Sequence, residues 1–267
     1  MKIGYCTNVK FENGAVVIPN YEYVKQCNFD YLEISLSNIT SFSEEEFVCF
    51  KKFLADEQIE VPATMGLLPG GMFVVGPKGD FDKFKNFVDL ALDRASQIGA
   101  KNVVFGAGGA RNIPGGFDRN VAVEQFDKAL SYVSDLASTY GITICLEALH
   151  LRETNFISTF KEGAEYVYKI DKPSLKTVLD FFHFNVGREP LSLVEESKDI
   201  ISHVHYARTL GRAMPLPSDF EEVANHLSYL KKIGYNDLVS FECQGGIDQN
   251  QVDDCVKTVE LFKNYFK

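Results

Sequence analysis

The chain has 267 residues, of which 45% are hydrophobic and 24% charged, and it carries a formal net charge of -10. This balance is typical of a globular protein with a sizeable core, and the length fits one large domain. The acidic charge, with no Lys/Arg-rich stripe, disfavours nucleic acid as a partner.

Short apolar, β-branched or aromatic runs recur along the whole chain and predict eight strands. They lie at 2–7, 31–36, 61–68, 102–108, 142–149, 175–183, 203–207 and 238–243. Longer segments between them have helical periodicity. In 81–99, for example, Phe84, Val88 and Ala91 fall on one stripe.

Local signals mark the ends of several predicted helices. Pairs of Ser or Thr with a Glu three residues later predict capping boxes at three helix starts. These pairs are Ser41 with Glu44, Thr159 with Glu162, and Ser218 with Glu221. Gly99, Gly141 and Gly234 each follow a helical pattern and precede a strand, where a left-handed C-cap favours glycine.

Strict alternation of strands and helices predicts parallel strands joined by right-handed crossovers. Eight units of about 30 residues favour a closed sheet over an open one, and no G-x-G-x-x-G motif follows the first strand. No linker rich in Pro, Gly or Ser divides the chain. We therefore predict a single α/β domain over residues 1–267, a TIM (β/α)8 barrel whose strand-to-helix loops line the active face.

Cysteine spacing and the N-terminal segment indicate an ordinary cytoplasmic protein. Six cysteines are scattered without a CxxC pair, so neither a zinc finger nor a redox dithiol is expected. The N-terminal MKIGYCTNVK lacks the apolar stretch of a signal peptide, and no run approaches the about 20 apolar residues of a membrane span. We expect no membrane contact.

Ionisable residues interrupt four late strands that should otherwise be apolar. Each lies toward the C-terminal end of its strand: Glu147, Asp180, His205 and Glu242. The C-terminal ends of barrel strands meet at one face, so we expect these side chains to converge. Three neighbouring carboxylates need a cation to remain ionised together. The oxygen-rich set suits Mn²⁺, Mg²⁺ or Co²⁺, and its one nitrogen ligand also admits Zn²⁺.

Two further histidines are expected close to this metal site. His203 and His205 are two residues apart, so both point the same way from their strand. His205 is nearer the barrel mouth and is the better ligand, whereas His203 is expected deeper in the barrel. His183 follows Asp180 by three residues, where it could reach substrate.

Two charged residues on earlier units have open roles. The glycine-rich loop 106–117 carries Arg111 where it could face the barrel mouth, so an anion site and a surface arginine are both open there. A phosphorylated substrate therefore remains open. Glu33 is interpreted as a structural group at a strand end.

Together these motifs resemble the xylose isomerase-like TIM barrels, which include ketose 3-epimerases, hydroxypyruvate isomerases and inosose dehydratases. The resemblance covers nearly the whole chain. Its most specific stretch is LEALHLRETNFIST (146–159), where Glu147, Glu153 and Asn155 match the fifth-strand motif of the family. Three more matches are the Asp-x-x-His of LDFFH (179–183), the His-x-His of 203–205 and the final Glu of SFE (240–242).

In ketose 3-epimerases of this family, two glutamates bind the metal and face opposite sides of substrate C3. The resemblance therefore implies that Glu147 and Glu242 are an acid/base pair in a divalent-metal-dependent sugar isomerase or epimerase. The other implied roles are metal ligation by Asp180 and His205 and substrate orientation by His183 and Glu153. Barrels of this family also commonly form dimers or tetramers.

The chain departs from the family pattern at two positions. His150 stands where the family often has Asn, and Gly211 stands where it often has an Arg six residues beyond the metal-binding His. Arg208 and Arg212 lie close enough in sequence to substitute. Together with Arg111 they are candidate substrate-binding residues.

Other functions use the same set of residues. An inosose dehydratase, a hydroxypyruvate isomerase or an aldose-ketose isomerase would differ only in the path of the proton, and a non-catalytic sugar-binding barrel would keep the fold. An endonuclease acting at abasic DNA is disfavoured. Such enzymes need further His and Glu ligands on early strands, where this chain has Glu33 and no histidine, and a basic surface.

Overall fold

The computed structural model describes residues 1–266 of the chain. Its strands, in order, are β1 (Lys2–Thr7), β2 (Lys10–Glu12), β3 (Ala15–Val17), β4 (Tyr31–Ser35), β5 (Ala63–Met65), β6 (Asn102–Phe105), β7 (Thr143–Leu146), β8 (Leu175–Asp180), β9 (Ile201–Tyr206) and β10 (Leu238–Phe241). Its α-helices are α1 (Tyr21–Val24), α2 (Leu36–Thr40), α3 (Glu44–Asp56), α4 (Phe81–Gln97), α5 (Gly108–Arg111), α6 (Arg119–Thr139), α7 (Phe160–Ile170), α8 (Phe181–Val186), α9 (Ser192–Glu196), α10 (Phe220–Lys232) and α11 (Val252–Tyr265).

Eight parallel strands within the described residues close into a barrel in the order β1-β10-β9-β8-β7-β6-β5-β4, with β4 returning to β1. Consecutive barrel strands are separated by helices that pack against the outside of the sheet. The predicted TIM barrel is thereby confirmed. Within the same residues, no helix is long and apolar enough to cross a membrane.

The barrel interior is filled in layers by alternate residues of its strands. Two small apolar clusters occupy it: Tyr31, Ala63 and Leu238 in one, and Val104, Cys145 and Val178 in the other. Cys145 and Val178 lie two residues before Glu147 and Asp180, so they share the same face of the sheet. The apolar layers therefore place the next inward-facing side chains at the C-terminal mouth.

Several strands end earlier than their apolar runs predicted. β8 ends at Asp180, and the residues after it form α8, so His183 is helical rather than part of a strand. The cause is the Asp180 side chain, whose Oδ1 accepts a hydrogen bond from the Phe182 N–H (2.7 Å) and caps this helix. Glu147 and Glu242 similarly lie one residue beyond β7 and β10.

The glycine C-caps are confirmed, with φ of +86° at Gly99, +64° at Gly141 and +73° at Gly234. The first capping box is displaced from its predicted place. Ser43 and Glu46 form it at the start of α3, because Ser43 Oγ accepts from the Glu46 N–H (3.2 Å) and the Glu46 carboxylate accepts from the Ser43 N–H (2.7 Å). The box predicted two residues earlier was wrong.

The other two helix starts also differ from complete capping boxes. Thr159 caps α7 by accepting from the Glu162 N–H (3.1 Å), but the Glu162 carboxylate accepts from the Ser158 N–H (2.6 Å). Ser218 lies inside a 3-10 turn, Pro217–Asp219, and α10 begins only after this turn. The predicted box at Ser218 was therefore wrong.

A hairpin that the sequence analysis missed follows β1. Strands β2 and β3 pair antiparallel and are joined by Asn13 and Gly14, whose φ values of 52° and 79° are both positive. Asn-Gly is the preferred pair for a two-residue hairpin turn of this kind, so the signal was present in the sequence. The strands have only three residues each, which is why their alternation is weak.

Candidate metal centre

Four side chains from consecutive barrel strands meet at the mouth. Glu147, Asp180, His205 and Glu242 each offer one ligand atom, and these atoms lie within 4.8 Å of one another. His205 is fully buried, and Glu147 and Asp180 are only 4% and 5% exposed. The structure thus brings together all four residues that the sequence singled out as metal ligands.

The crowding of carboxylates changes their protonation. Burial and the neighbouring Glu242 raise the pKa of both Glu147 and Asp180. Burial also opposes ionisation of Glu242, but His205 and Arg212 outweigh it and lower the pKa of Glu242 to about 2. Without an added cation, therefore, the three carboxyl groups do not ionise equally.

The donor set fits a divalent cation. Asp180 Oδ2 is buried and has no hydrogen-bond partner among the described residues. A buried, unpartnered carboxylate oxygen is costly unless a ligand occupies the space it faces. Three carboxylates and one imidazole are a suitable ligand set for Mn²⁺, Mg²⁺ or Co²⁺ and are compatible with Zn²⁺.

His205 presents its Nδ1 atom to the centre. Nδ1 lies 3.3 Å from Glu147 Oε1 and 3.4 Å from Glu242 Oε2, whereas Nε2 lies 3.0 Å from Glu33 Oε1 on the other side of the ring. His203 lies deeper, fully buried, with Nε2 2.7 Å from Glu33 Oε2. Burial would raise the pKa of Glu33, but these two histidines hold it well below its usual range.

Gly106 makes room for one of the carboxylates. A Cβ atom added at Gly106 would collide with Glu147 Oε2. Gly106 directly follows β6, the neighbour of β7 in the barrel, so its backbone runs beside the Glu147 side chain. The glycine-rich loop is visible in the sequence, but this role of Gly106 is not, because close packing across two strands arises only in the tertiary structure.

A cavity of about 320 Å³ opens above the centre. Its walls include Glu147 and Glu242 of the centre, together with Ser35, Met65, Glu153 and Arg212. Cavities of about 300 Å³ or more accommodate small ligands. The two carboxylates that the sequence assigned as an acid/base pair therefore face one shared space.

Arg212 reaches into the centre from the loop after β9. Its Nη2 lies 2.5 Å from Glu242 Oε2 and 3.6 Å from Asp180 Oδ2, and its Nη1 lies 3.4 Å from Glu153 Oε1. The guanidinium also lies over the Phe182 ring at 4.8 Å. Arg212 has a positive φ of 44° that turns the loop tip. The Arg212 guanidinium therefore places a positive charge at the site, although Gly211 occupies the position where the family often has an arginine.

His183 faces the centre as a hydrogen-bond donor. Its Nδ1 accepts from the His150 N–H (3.2 Å), and burial lowers its pKa, so the neutral ring carries its proton on Nε2. Nε2 has no partner within residues 1–266 and lies 3.5 Å from Asp180 Oδ2. Although His150, Glu153 and His183 gather nearby, a protonated Nε2 has no lone pair for a second metal.

Arg111, for which an anion site and a surface position were both open, does not line the cavity of about 320 Å³. The side chain is fully buried, with Nε donating to Phe156 O (2.9 Å) and Nη2 donating to Glu147 O (2.8 Å). It also donates to the backbone carbonyls of Gly106 and Ile157. Burial lowers its pKa to about 10. Arg111 ties the loops after β6 and β7 together below the cavity.

Arg208 is also displaced from its expected place. Its backbone bridges to Ala213 across the loop, and its Nη1 lies 4.0 Å from Asp219 Oδ2. Among the described residues that line the 320 Å³ cavity, Arg208 is absent. Of the two candidate substitutes, the structure therefore places Arg212 at the site and pairs Arg208 with Asp219 elsewhere.

Comparison with known proteins identifies the family. A family model described as a xylose isomerase-like TIM barrel matches residues 21–265. The D-psicose 3-epimerase of Agrobacterium fabrum is 24% identical over 216 residues, which cover 77% of this chain and 72% of that protein. The 2-oxo-tetronate isomerase of Haemophilus influenzae is 29% identical over 178 residues, covering 65% of this chain and 66% of that protein.

Solved structures have the same fold. The D-allulose 3-epimerase from Methylomonas sp., determined in complex with D-allulose, superposes with a TM-score of 0.79. The alignment covers 99% of this chain and 97% of that chain at 18% sequence identity. At this identity the likeness concerns the fold.

Replacing Gly106 by Ala should weaken metal binding. The new Cβ would displace the Glu147 carboxylate, and we expect the affinity for Mn²⁺ to fall by about 10-fold or more. Isothermal titration calorimetry on metal-stripped protein measures this. Gly109→Ala is the matched control, because a Cβ there meets nothing within 4 Å. Equal Mn²⁺ affinity in the two variants would show that the bare backbone at Gly106 is not needed to place the Glu147 carboxylate for metal binding.

Replacing Arg111 by Met should destabilise the protein rather than only weaken substrate binding. Buried carbonyl groups would lose their donors, and we expect the free energy of unfolding to fall by about 3 kcal/mol or more. Urea unfolding measures this change. The partly exposed, 4.0 Å pair that Arg208 makes with Asp219 supplies the control, since Arg208→Met should cost less than about 1 kcal/mol. Wild-type stability with a raised KM in Arg111→Met would restore a substrate-binding role.

Proposed function

Because this chain belongs to the xylose isomerase-like TIM barrel family and its named relatives are epimerases and isomerases, we propose that it is a divalent-metal-dependent ketose 3-epimerase. One observation carries the proposal. Glu147 and Glu242 lie 3.3 Å and 3.4 Å from the same His205 nitrogen and both line one cavity. Two carboxylates that lie beside the same metal site and line the same substrate cavity are suited to proton transfer on the two faces of one carbon.

The metal would be held by Glu147, Asp180, His205 and Glu242, with Mn²⁺, Mg²⁺ or Co²⁺ favoured and Zn²⁺ compatible. Bound there, it would supply positive charge against the negative charge that develops on the sugar oxygens when the C–H bond breaks.

The chain's own carboxylates would move the proton. One of Glu147 and Glu242 removes the C3 proton, and the other returns a proton to the opposite face, which inverts the carbon. The cavity above the centre is small and its floor is buried, so the reacting carbon would be shielded from bulk water. The reverse reaction uses the same groups in exchanged roles.

Three side chains would orient the sugar. His183 Nε2–H has no hydrogen-bond partner in the described part of the chain, lies 3.5 Å from Asp180 Oδ2 of the centre, and would donate to a sugar oxygen. Arg212 and Glu153 lie 3.4 Å apart on the cavity wall and can donate to and accept from hydroxyl groups. We therefore assign substrate binding to His183, Arg212 and Glu153.

The isotope label distinguishes epimerisation from other reactions of the same site. A panel of free ketoses and their phosphates is incubated with the Mn²⁺-loaded protein in D₂O, and products are resolved by chromatography and NMR. We expect deuterium at C3 of both epimers, because the carboxyl group that delivers the proton exchanges with D₂O between turnovers. Label at C1 or C2 would instead indicate an aldose-ketose isomerase, and loss of water would indicate a dehydratase.

Glu147→Gln and Glu242→Gln should each lower kcat by about 10²–10⁴-fold, because each amide removes one proton-transfer group. Both variants should also bind Mn²⁺ more weakly, since each loses an anionic ligand. Steady-state epimerisation assays and calorimetry measure the two effects. Glu221→Gln, at an exposed position on α10, is the control. If metal binding and turnover of every candidate sugar are unaffected, the mechanism is wrong. A wild type that turns over none of the sugars would instead favour a non-catalytic barrel.

A further inference from the structure

The geometry points to Glu33 as a positioning residue that fixes the tautomer of His205, so that Nδ1 is free to bind the metal. This inference rests on the proposed metal-dependent function. Glu33 belongs to β4, at the other side of the barrel interior, and is not one of the four clustered ligand residues. Its effect on the metal would pass entirely through the His205 ring.

Glu33 is fully buried inside the barrel. It is the middle residue of β4, between Tyr31, whose OH bonds Ser240 across the interior, and Ser35, which lines the cavity. The alternation of the strand therefore directs Glu33 inward, between the apolar floor and the metal centre. The expected structural role at a strand end is replaced by a contact in the middle of the barrel.

Both carboxylate oxygens of Glu33 are used by histidines. Oε1 lies 3.0 Å from His205 Nε2, and Oε2 lies 2.7 Å from His203 Nε2. An ionised carboxylate only accepts hydrogen bonds, so each Nε2 must carry a proton and donate it. The two contacts lock the carboxylate in place, because rotating it toward the metal centre would break both bonds.

The proton at His205 Nε2 decides what Nδ1 can do. A neutral imidazole carries one proton, so protonation at Nε2 leaves the Nδ1 lone pair directed at the Glu147 and Glu242 oxygens. In the alternative tautomer, Nδ1–H would donate to those carboxylates and could not bind a cation. Hydrogen bonds from a metal-binding histidine to a carboxylate fix both tautomer and ring orientation in this way.

The same contact argues against a second metal at Glu33. Cys6, Glu33 and His205 also gather within ligand distance of one another. A metal there would need a lone pair on His205 Nε2. This nitrogen carries a proton and donates a hydrogen bond to Glu33, so it has no lone pair to offer. The structure therefore favours one metal centre, on the Nδ1 side of His205.

Glu33→Gln tests this role without changing the size of the side chain. The amide can present its NH₂ group to His205 Nε2, which would then accept and hold its proton on Nδ1. We expect the Mn²⁺ affinity to fall by about 10–100-fold, as for other residues that orient a metal ligand. Calorimetry measures the affinity, and ¹⁵N NMR of the metal-free protein, at a pH where the ring is neutral, reports which His205 nitrogen is protonated. The expected shift is from Nε2–H in the wild type toward Nδ1–H in the variant.

Tyr31→Phe is the matched control. It lies on the same strand and loses a buried hydrogen bond to Ser240 (2.7 Å), but it does not contact His205. We expect its Mn²⁺ affinity and its His205 tautomer to match the wild type, whatever its stability. Equal loss of affinity in Tyr31→Phe and Glu33→Gln would reduce Glu33 to a structural role and overturn the proposal.

The wild-type spectrum keeps the proposal testable if Glu33→Gln does not fold. A neutral wild-type His205 ring whose single proton lies on Nδ1 in the metal-free protein overturns it directly. Failure of the proposed function has a different signature: the wild type would bind none of Mn²⁺, Mg²⁺, Co²⁺ and Zn²⁺ while His205 retained its Nε2 proton. Wild-type Mn²⁺ affinity in a folded Glu33→Gln variant would overturn the positioning role alone.

Discussion

The structure depends on the burial of several carboxylates in one small volume. Glu147, Asp180 and Glu242 have ligand oxygens within 4.8 Å of one another and of His205 Nδ1, and nearly all of this cluster is buried. Like charges at such distances cannot all ionise unless positive charge compensates them. Arg212 supplies part of that charge, and a divalent cation fits the remainder. The requirement explains why an acidic centre, an arginine and an unpartnered Asp180 oxygen occur together.

The barrel makes this cluster by alternation and closure. Every second residue of each strand points into the barrel. Glu147 therefore lies one inward-facing position beyond Cys145, and Asp180 lies one beyond Val178. The apolar layer below excludes water from the floor of the site, and the C-terminal mouth remains open for substrate. Glu33 lies between these levels and connects them, because its carboxylate contacts one histidine in the floor and one at the centre.

The positions of three arginine side chains could not be predicted from the sequence. Arg111, Arg208 and Arg212 all follow barrel strands in loops of the active face, and all were candidate substrate contacts. Arg111 instead turns back to bond backbone carbonyls, Arg208 pairs with Asp219, and Arg212 enters the site through a residue of positive φ. A long, flexible side chain can reach any of several partners from one sequence position. Its destination depends on loop geometry that local patterns do not encode.

The sequence by itself determined the barrel and the four residues that cluster at its mouth, because these follow from short-range rules. Strand and helix periodicities, glycine C-caps and ionisable residues at the ends of buried strands are all visible along the chain. Tertiary structure alone decided that His205 turns Nδ1 toward Glu147 and Glu242, that His183 Nδ1 accepts from the His150 N–H, and that Gly106 approaches Glu147 too closely for a side chain. Each of these depends on the partner that a residue meets across the barrel, from positions far apart in sequence. Glu33 and His205, 172 residues apart, are the plainest case.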